Sequence, residues 1–85
     1  MRFEKNVLFL GMTANMLRDG GVYYTVQFFE PDGSPVSVNV MDNDGHAEVL
    51  SVLRTLSFGD RVSATFFLRQ QDRLYKLLLA DAVPC

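Results

Sequence analysis

The sequence predicts a mainly β domain, a five-stranded Greek-key barrel in the order β-β-β-α-β-β with one helix between the third and fourth strands. Three observations carry that expectation. Apolar and polar residues alternate through several separate segments, the period of a half-buried strand. One segment alone, in mid-chain, spaces its apolar residues as a helix does. Clusters of Gly, Pro and Asp divide the segments at short intervals. The 85 residues make room for a single domain spanning 1–85. At 48% hydrophobic and 21% charged, the chain is not a disordered segment.

The first strand is expected over residues 7–16. Its even positions, Leu8, Leu10, Met12, Ala14 and Met16, are all apolar, and Gly11 in mid-strand suggests a bend or bulge. Arg18-Asp19-Gly20-Gly21 is a tight reversal. The second strand covers residues 22–30. Val22, Tyr24, Val26 and Phe28 point one way; Tyr23, Thr25, Gln27 and Phe29 point the other. Pro31-Asp32-Gly33-Ser34-Pro35 turns the chain, with Gly33 taking the left-handed corner. A third strand follows over residues 36–41, with Val36, Val38 and Val40 on one side.

Asp44 is placed to cap a helix over residues 46–58. Val49, Val52, Leu53 and Leu56 form its apolar stripe, and Gly59 suits a left-handed C-cap. Strand four is expected over residues 61–69, with Val62, Ala64, Phe66 and Leu68 inward and Phe67 outward. Gln70-Gln71-Asp72 is a short turn. Strand five covers residues 73–83, and the run Leu77-Leu78-Leu79 suggests burial on both faces, as at a barrel closure. This connectivity is that of the OB fold. SH3-like barrels with an inserted helix and small α+β sheets share the same content.

Several classes of function find no support. The single cysteine, Cys85, makes no internal disulfide and no zinc cage, and a reducing, cytoplasmic location is the natural reading. No apolar run reaches the length of a membrane span. Residues 1–10 have a leader-like order of charge then apolar residues, but no small-x-small cleavage site follows. His46 is the only histidine and lies in an acidic segment, so no nucleophile relay and no metal-ligand spacing forms around it. Asp42-Asn43-Asp44-Gly45 has its glycine two positions early for a calcium loop, with Leu53 where the bidentate glutamate belongs. No enzyme activity, metal or cofactor is expected.

What the sequence offers instead is a binding face. Rings on the outer side of a strand ask for a partner. Tyr23, Phe29 and Phe67 are candidate platforms for stacked bases, and Arg18, Arg61, Arg69, Arg73 and Lys76 are a candidate phosphate track. Four cations against one acid lie between residues 61 and 76, although the whole chain carries a net charge of −2. Single-stranded nucleic acid, DNA before RNA, is the expected partner. The alternative is a protein-interaction or homodimerisation module using the same rings, which would otherwise lie under the N-terminal segment near Phe3.

Two segments also carry a resemblance. Leu56-Ser57-Phe58-Gly59-Asp60-Arg61-Val62 resembles the entry to strand four in single-stranded DNA-binding proteins of the OB class. Residues 74–83 are similar to the closing strand of that class. With its short chain, the protein resembles the small members found in phages and mobile elements, of the filamentous-phage gene V type. That resemblance implies non-catalytic binding of single strands through the strand 2–3 face and the 1–2 and 4–5 loops. The chain departs from the phage proteins in its acidic balance.

Overall fold

The computed structural model describes residues 1–85. The elements run β1 (Arg2–Met16), β2 (Val22–Phe29), β3 (Pro35–Met41), a 3-10 turn (Asp44–His46), α1 (Ala47–Thr55), β4 (Arg61–Gln71) and β5 (Leu74–Pro84). All pairings are antiparallel, in the order β3-β2-β1-β4-β5. The edge strands β3 and β5 lie against each other, so the sheet curls into an OB-like barrel with its helix between β3 and β4.

β1 is shared between two ladders. Residues 2–8 pair with β4 and residues 8–16 with β2, and Leu8 alone pairs in both, opposite Arg61 and Phe29. The strand therefore begins five residues earlier than the sequence predicts. Its handover is marked by a bulge: Phe9 pairs with Phe28 and Gly11 with Gln27, leaving Leu10 as the extra residue. The bulge exchanges the faces of the strand. Val7 and Phe9 fill the core before it, and Met12 packs against the core after it. The expected single stripe of even positions is thereby broken, and Leu8 faces outward.

Fourteen residues, all apolar, form the core, with no buried polar side chain among them. At its centre Phe28 packs edge-on against Phe9 at 6.1 Å and Phe66 at 6.0 Å, and Phe3 lies over Phe66 at 5.8 Å. From α1, Val49, Leu50 and Leu53 are buried; Val52 and Leu56, expected in the stripe, are only half-buried. No helix is long and apolar enough to cross a membrane.

The helix ends differ from expectation. Asn43 and then His46 occupy the cap positions, without a side-chain cap bond from either, and Asp44 lies inside the 3-10 turn. His46 is half-buried, its Nδ1 donating to Asn43 Oδ1 at 2.8 Å. The helix stops at Thr55, because Leu56 is already extended. Gly59, at φ +89°, is no helix cap. It belongs to a turn in which Ser57 N–H donates to Asp60 Oδ2 at 2.7 Å and Asp60 N–H to Ser57 O at 3.0 Å. That turn docks on β1: Gly59 N–H donates to Phe9 O at 2.7 Å, and Phe9 N–H to Asp60 O at 2.8 Å. The Gly-Asp pair thus anchors the chain to β1 beside the bulge as β4 begins.

Strands β4 and β5 continue past the barrel. The reversal falls on Asp72 and Arg73, with Asp72 at φ +56°, rather than on residues 70–72. Residues 69–76 are all exposed. In the run expected to be buried on both faces, Leu79 alone is buried, and Leu77 and Leu78 are half-buried.

Candidate nucleic-acid interface

Directly paired residues share a sheet face, so the ladders give the outer surface row by row. From β3 to β1 the rows are Met41–Tyr23–Asn15, Asn39–Thr25–Thr13 and Ser37–Gln27–Gly11, followed by Pro35–Phe29–Leu8, which extends to Arg61 on β4. Along the other half of β1 they are Asn6–Ser63–Val83, Glu4–Thr65–Asp81 and Arg2–Phe67–Leu78. Beyond these, Arg69 pairs with Lys76 and Gln71 with Leu74 on the hairpin.

Tyr23, Phe29 and Phe67 all lie on the outward face, but Phe29 alone is exposed and Tyr23 and Phe67 are half-buried. Phe3 covers neither Tyr23 nor Phe29, because it packs inward on Phe66. The three rings do not converge, however. Tyr23 and Phe29 are six residues apart on β2, about 20 Å at strand rise, and Phe29 and Phe67 are separated by a similar stretch of β1. No two of them can grip one base.

The cations divide in the same way. Arg61 stands beside Leu8, and Arg18 occupies the turn beyond Tyr23. Arg69, Arg73 and Lys76 gather on the hairpin with Phe67. Arg2, absent from the sequence candidates, joins them as the direct partner of Phe67. Arg69 lies directly opposite Lys76, an arrangement of like charges that disfavours the sheet unless an anion offsets it. The chain supplies none: its one salt bridge joins Lys5 to Glu30 at 2.5 Å, elsewhere on the surface.

The hairpin adds a ring that sequence reasoning missed. Tyr75 is 69% exposed and Leu74 76% exposed. Tyr75 pairs with Gln70 on the face opposite Phe67, but past the barrel both faces of the hairpin are wet. Its neighbours Leu74 and Leu77 to Leu79 disguised it as part of a core strand. Comparisons of the chain with protein families, with curated proteins and with solved structures find no match.

The β1–β2–β3 face is polar and internally tied. Asn15 Nδ2 donates to Thr25 Oγ1 at 3.0 Å, and Thr25 Oγ1 donates to Asn39 Oδ1 at 3.0 Å. This relay ties three strands together across two adjacent rows and occupies groups that could otherwise meet a ligand. At the rim, Arg54 Nη2 donates to the Tyr24 hydroxyl at 3.2 Å, with the guanidinium 5.5 Å from the ring centre. That hydrogen bond raises the Arg54 pKa above its ordinary value.

Acids bound the hairpin patch. Glu4 and Asp81 flank Thr65 in the row next to Phe67, and with Asp44, Glu48 and one cation, Arg2, they line one groove. No three His, Cys, Asp or Glu side chains converge as metal ligands. With four acids to one cation the groove disfavours an anion, and Arg2 stands where it meets the hairpin patch.

Proposed function

We propose that the chain is a non-catalytic OB-class protein of the cytoplasm that binds single-stranded nucleic acid, DNA first, with little sequence preference. The observation that supports it most is the hairpin patch: one outward ring, Phe67, with Arg2 opposite it and the unpaired cations Arg69 and Lys76 in the next row. An unstacked base has a flat face for Phe67, and the phosphates on either side meet the cations. A duplex hides its base faces, and a chain of net charge −2 gains little from phosphate density alone. Single strands suit this patch better for both reasons. Arg73 on the reversal and Tyr75 on the reverse face extend the same element.

Fluorescence anisotropy of the full chain with labelled oligo-dT, repeated with oligo-U and a duplex, tests this. Micromolar or tighter binding to single strands is expected. Phe67→Ala should weaken it by about 5- to 150-fold, the equivalent of about 1–3 kcal/mol for one stacked base. Absence of binding at low salt, or equal preference for the duplex, refutes the assignment.

A further inference from the structure

The β4–β5 hairpin has two unlike faces. On the outer face the rows Phe67–Leu78, Arg69–Lys76 and Gln71–Leu74 carry one ring and two cations. On the reverse face the rows are Leu68–Leu77 and Gln70–Tyr75, with no charged side chain among them. Leu68 and Leu77 are half-buried and carry the apolar inner face of the barrel outward as a short shelf. Tyr75 stands exposed at the end of that shelf. Arg73 occupies the reversal, where the two faces meet. Phe67 and Tyr75 are three rows apart, about 10 Å along the hairpin.

A ring on a neutral face suits a different part of a nucleic acid than a ring among cations. A single strand brings a phosphate with every base, so it is held best where cations flank the stacking ring, as on the outer face. A duplex hides its base faces everywhere except at its ends. There the last base pair is a broad uncharged plane with its phosphates at the rim, and an aromatic ring can stack on it. Where a duplex opens into a single strand, these two kinds of surface lie side by side. The hairpin presents the complement of each, back to back, with Arg73 at the crossing between them. The four-acid groove beyond Phe67 disfavours any path for the strand along β4. Resting on the assignment of single-strand binding to the outer face, we propose that the preferred ligand of the hairpin is a junction between duplex and single-stranded DNA. Tyr75 stacks on the last base pair, and Phe67 stacks on a base of the strand that leaves it. The protein then recognises the point where a duplex opens, rather than single strands wherever they occur.

Anisotropy titrations of the full chain test this with labelled oligo-dT, a blunt stem-loop, and the same stem-loop carrying that oligo-dT as an overhang in either polarity. In at least one polarity the overhang ligand should bind about fivefold or more tighter than oligo-dT, as one added stack allows. The blunt stem-loop should bind more weakly than either. Tyr75→Ala should abolish the preference for the overhang ligand and leave oligo-dT affinity unchanged. Tyr75→Phe should keep the preference, because the ring does the stacking and the hydroxyl does not. Tyr75 is exposed, so loss of the fold does not account for the change. Phe67→Ala should weaken oligo-dT and the overhang ligand together. Equal affinity for oligo-dT and the overhang ligand, or a preference that survives Tyr75→Ala, overturns the inference and leaves single-strand binding standing. Tyr75→Ala weakening oligo-dT as much as the overhang ligand also overturns it, and makes Tyr75 a second platform for the single strand. Absence of binding to oligo-dT overturns the underlying assignment, and the inference falls with it.

Discussion

The hairpin patch makes a quantitative demand on salt dependence. Each phosphate neutralised on a single strand contributes about −0.7 to the slope of log affinity against log salt. Arg2, Arg69, Arg73 and Lys76 supply four cations, for a slope of about −2.8. Raising salt from about 50 to 200 mM should then weaken binding by about 50-fold. In Arg69→Gln/Lys76→Gln the slope should fall to about −1.4, and the same change of salt should cost only about 7-fold. The substitutions should not unfold the protein. They remove a like-charge pair from opposed strand positions, which relieves the sheet by a few tenths of a kcal/mol. Urea melts of both proteins check that point, and anisotropy titrations at five or six salt concentrations give the slopes. A double variant with the wild-type slope but lower affinity would refute the assignment, because the two cations would then contribute without meeting phosphate.

Three further expectations concern the scaffold. Phe28, fully buried between Phe9 and Phe66, should cost about 3–5 kcal/mol when replaced by alanine, a large share of the roughly 4–13 kcal/mol of a domain this size; chemical denaturation measures it. Gly59→Ala should cost about 1–2 kcal/mol through backbone strain alone, because a Cβ there meets no atom within 4 Å. Gly59→Asn should recover most of that loss in the same melts. The Asp32 carboxyl is held below its ordinary 3.8 mainly by the Ser34 backbone N–H, so its folded-state pKa is depressed. Its contribution to stability is therefore complete above about pH 4 and is lost as pH falls through the folded value. Asp32→Asn should flatten the acid limb of a stability–pH curve and leave the curve between pH 5 and 7 parallel to wild type.

Much of this fold is legible in the sequence where period two is unbroken. Val26, Phe28, Val38 and Val40 alternate cleanly, and all four are buried as the pattern requires. β1 is harder. Its even positions look like one apolar face, yet Val7 and Phe9 enter the core and Leu8 does not, because Leu10 is looped out. Gly11 signals an irregularity, but a bulge one residue away determines which face is which, and long-range pairing places it. The helix is shorter than its apolar spacing suggests, since the Asp60 side chain and Phe9 backbone capture the segment after Leu56 for a turn. The site shows the same limit. Arg69, Arg73 and Lys76 stand out because they are close in sequence. Arg2 becomes their neighbour only through β1–β4 pairing, and Tyr75 is exposed only because the hairpin outruns the barrel.

The acidic balance of the chain, an objection to nucleic-acid binding when taken as a sum, has a different force once it is placed in space. Half of the eight cations lie on the hairpin or opposite it at Arg2, with Asp72 the single acid among them. The other four cations share the rest of the surface with nine acids. Net charge governs solubility, whereas the local field governs how an anion meets the protein. With charge separated in this way, a polyanion would be drawn to one end of the molecule and turned away from the rest. Glu4 and Asp81 sharpen the boundary, because they stand in the row next to Phe67, on the path toward Arg61. Under the proposed function, a strand stacked on Phe67 would gain nothing by continuing along β4 and would be favoured to leave across the hairpin, toward Arg73 and Tyr75. The footprint on one chain would then be short. Extended coverage of a strand would have to come from placing several hairpins along it rather than from lengthening the track on any one of them.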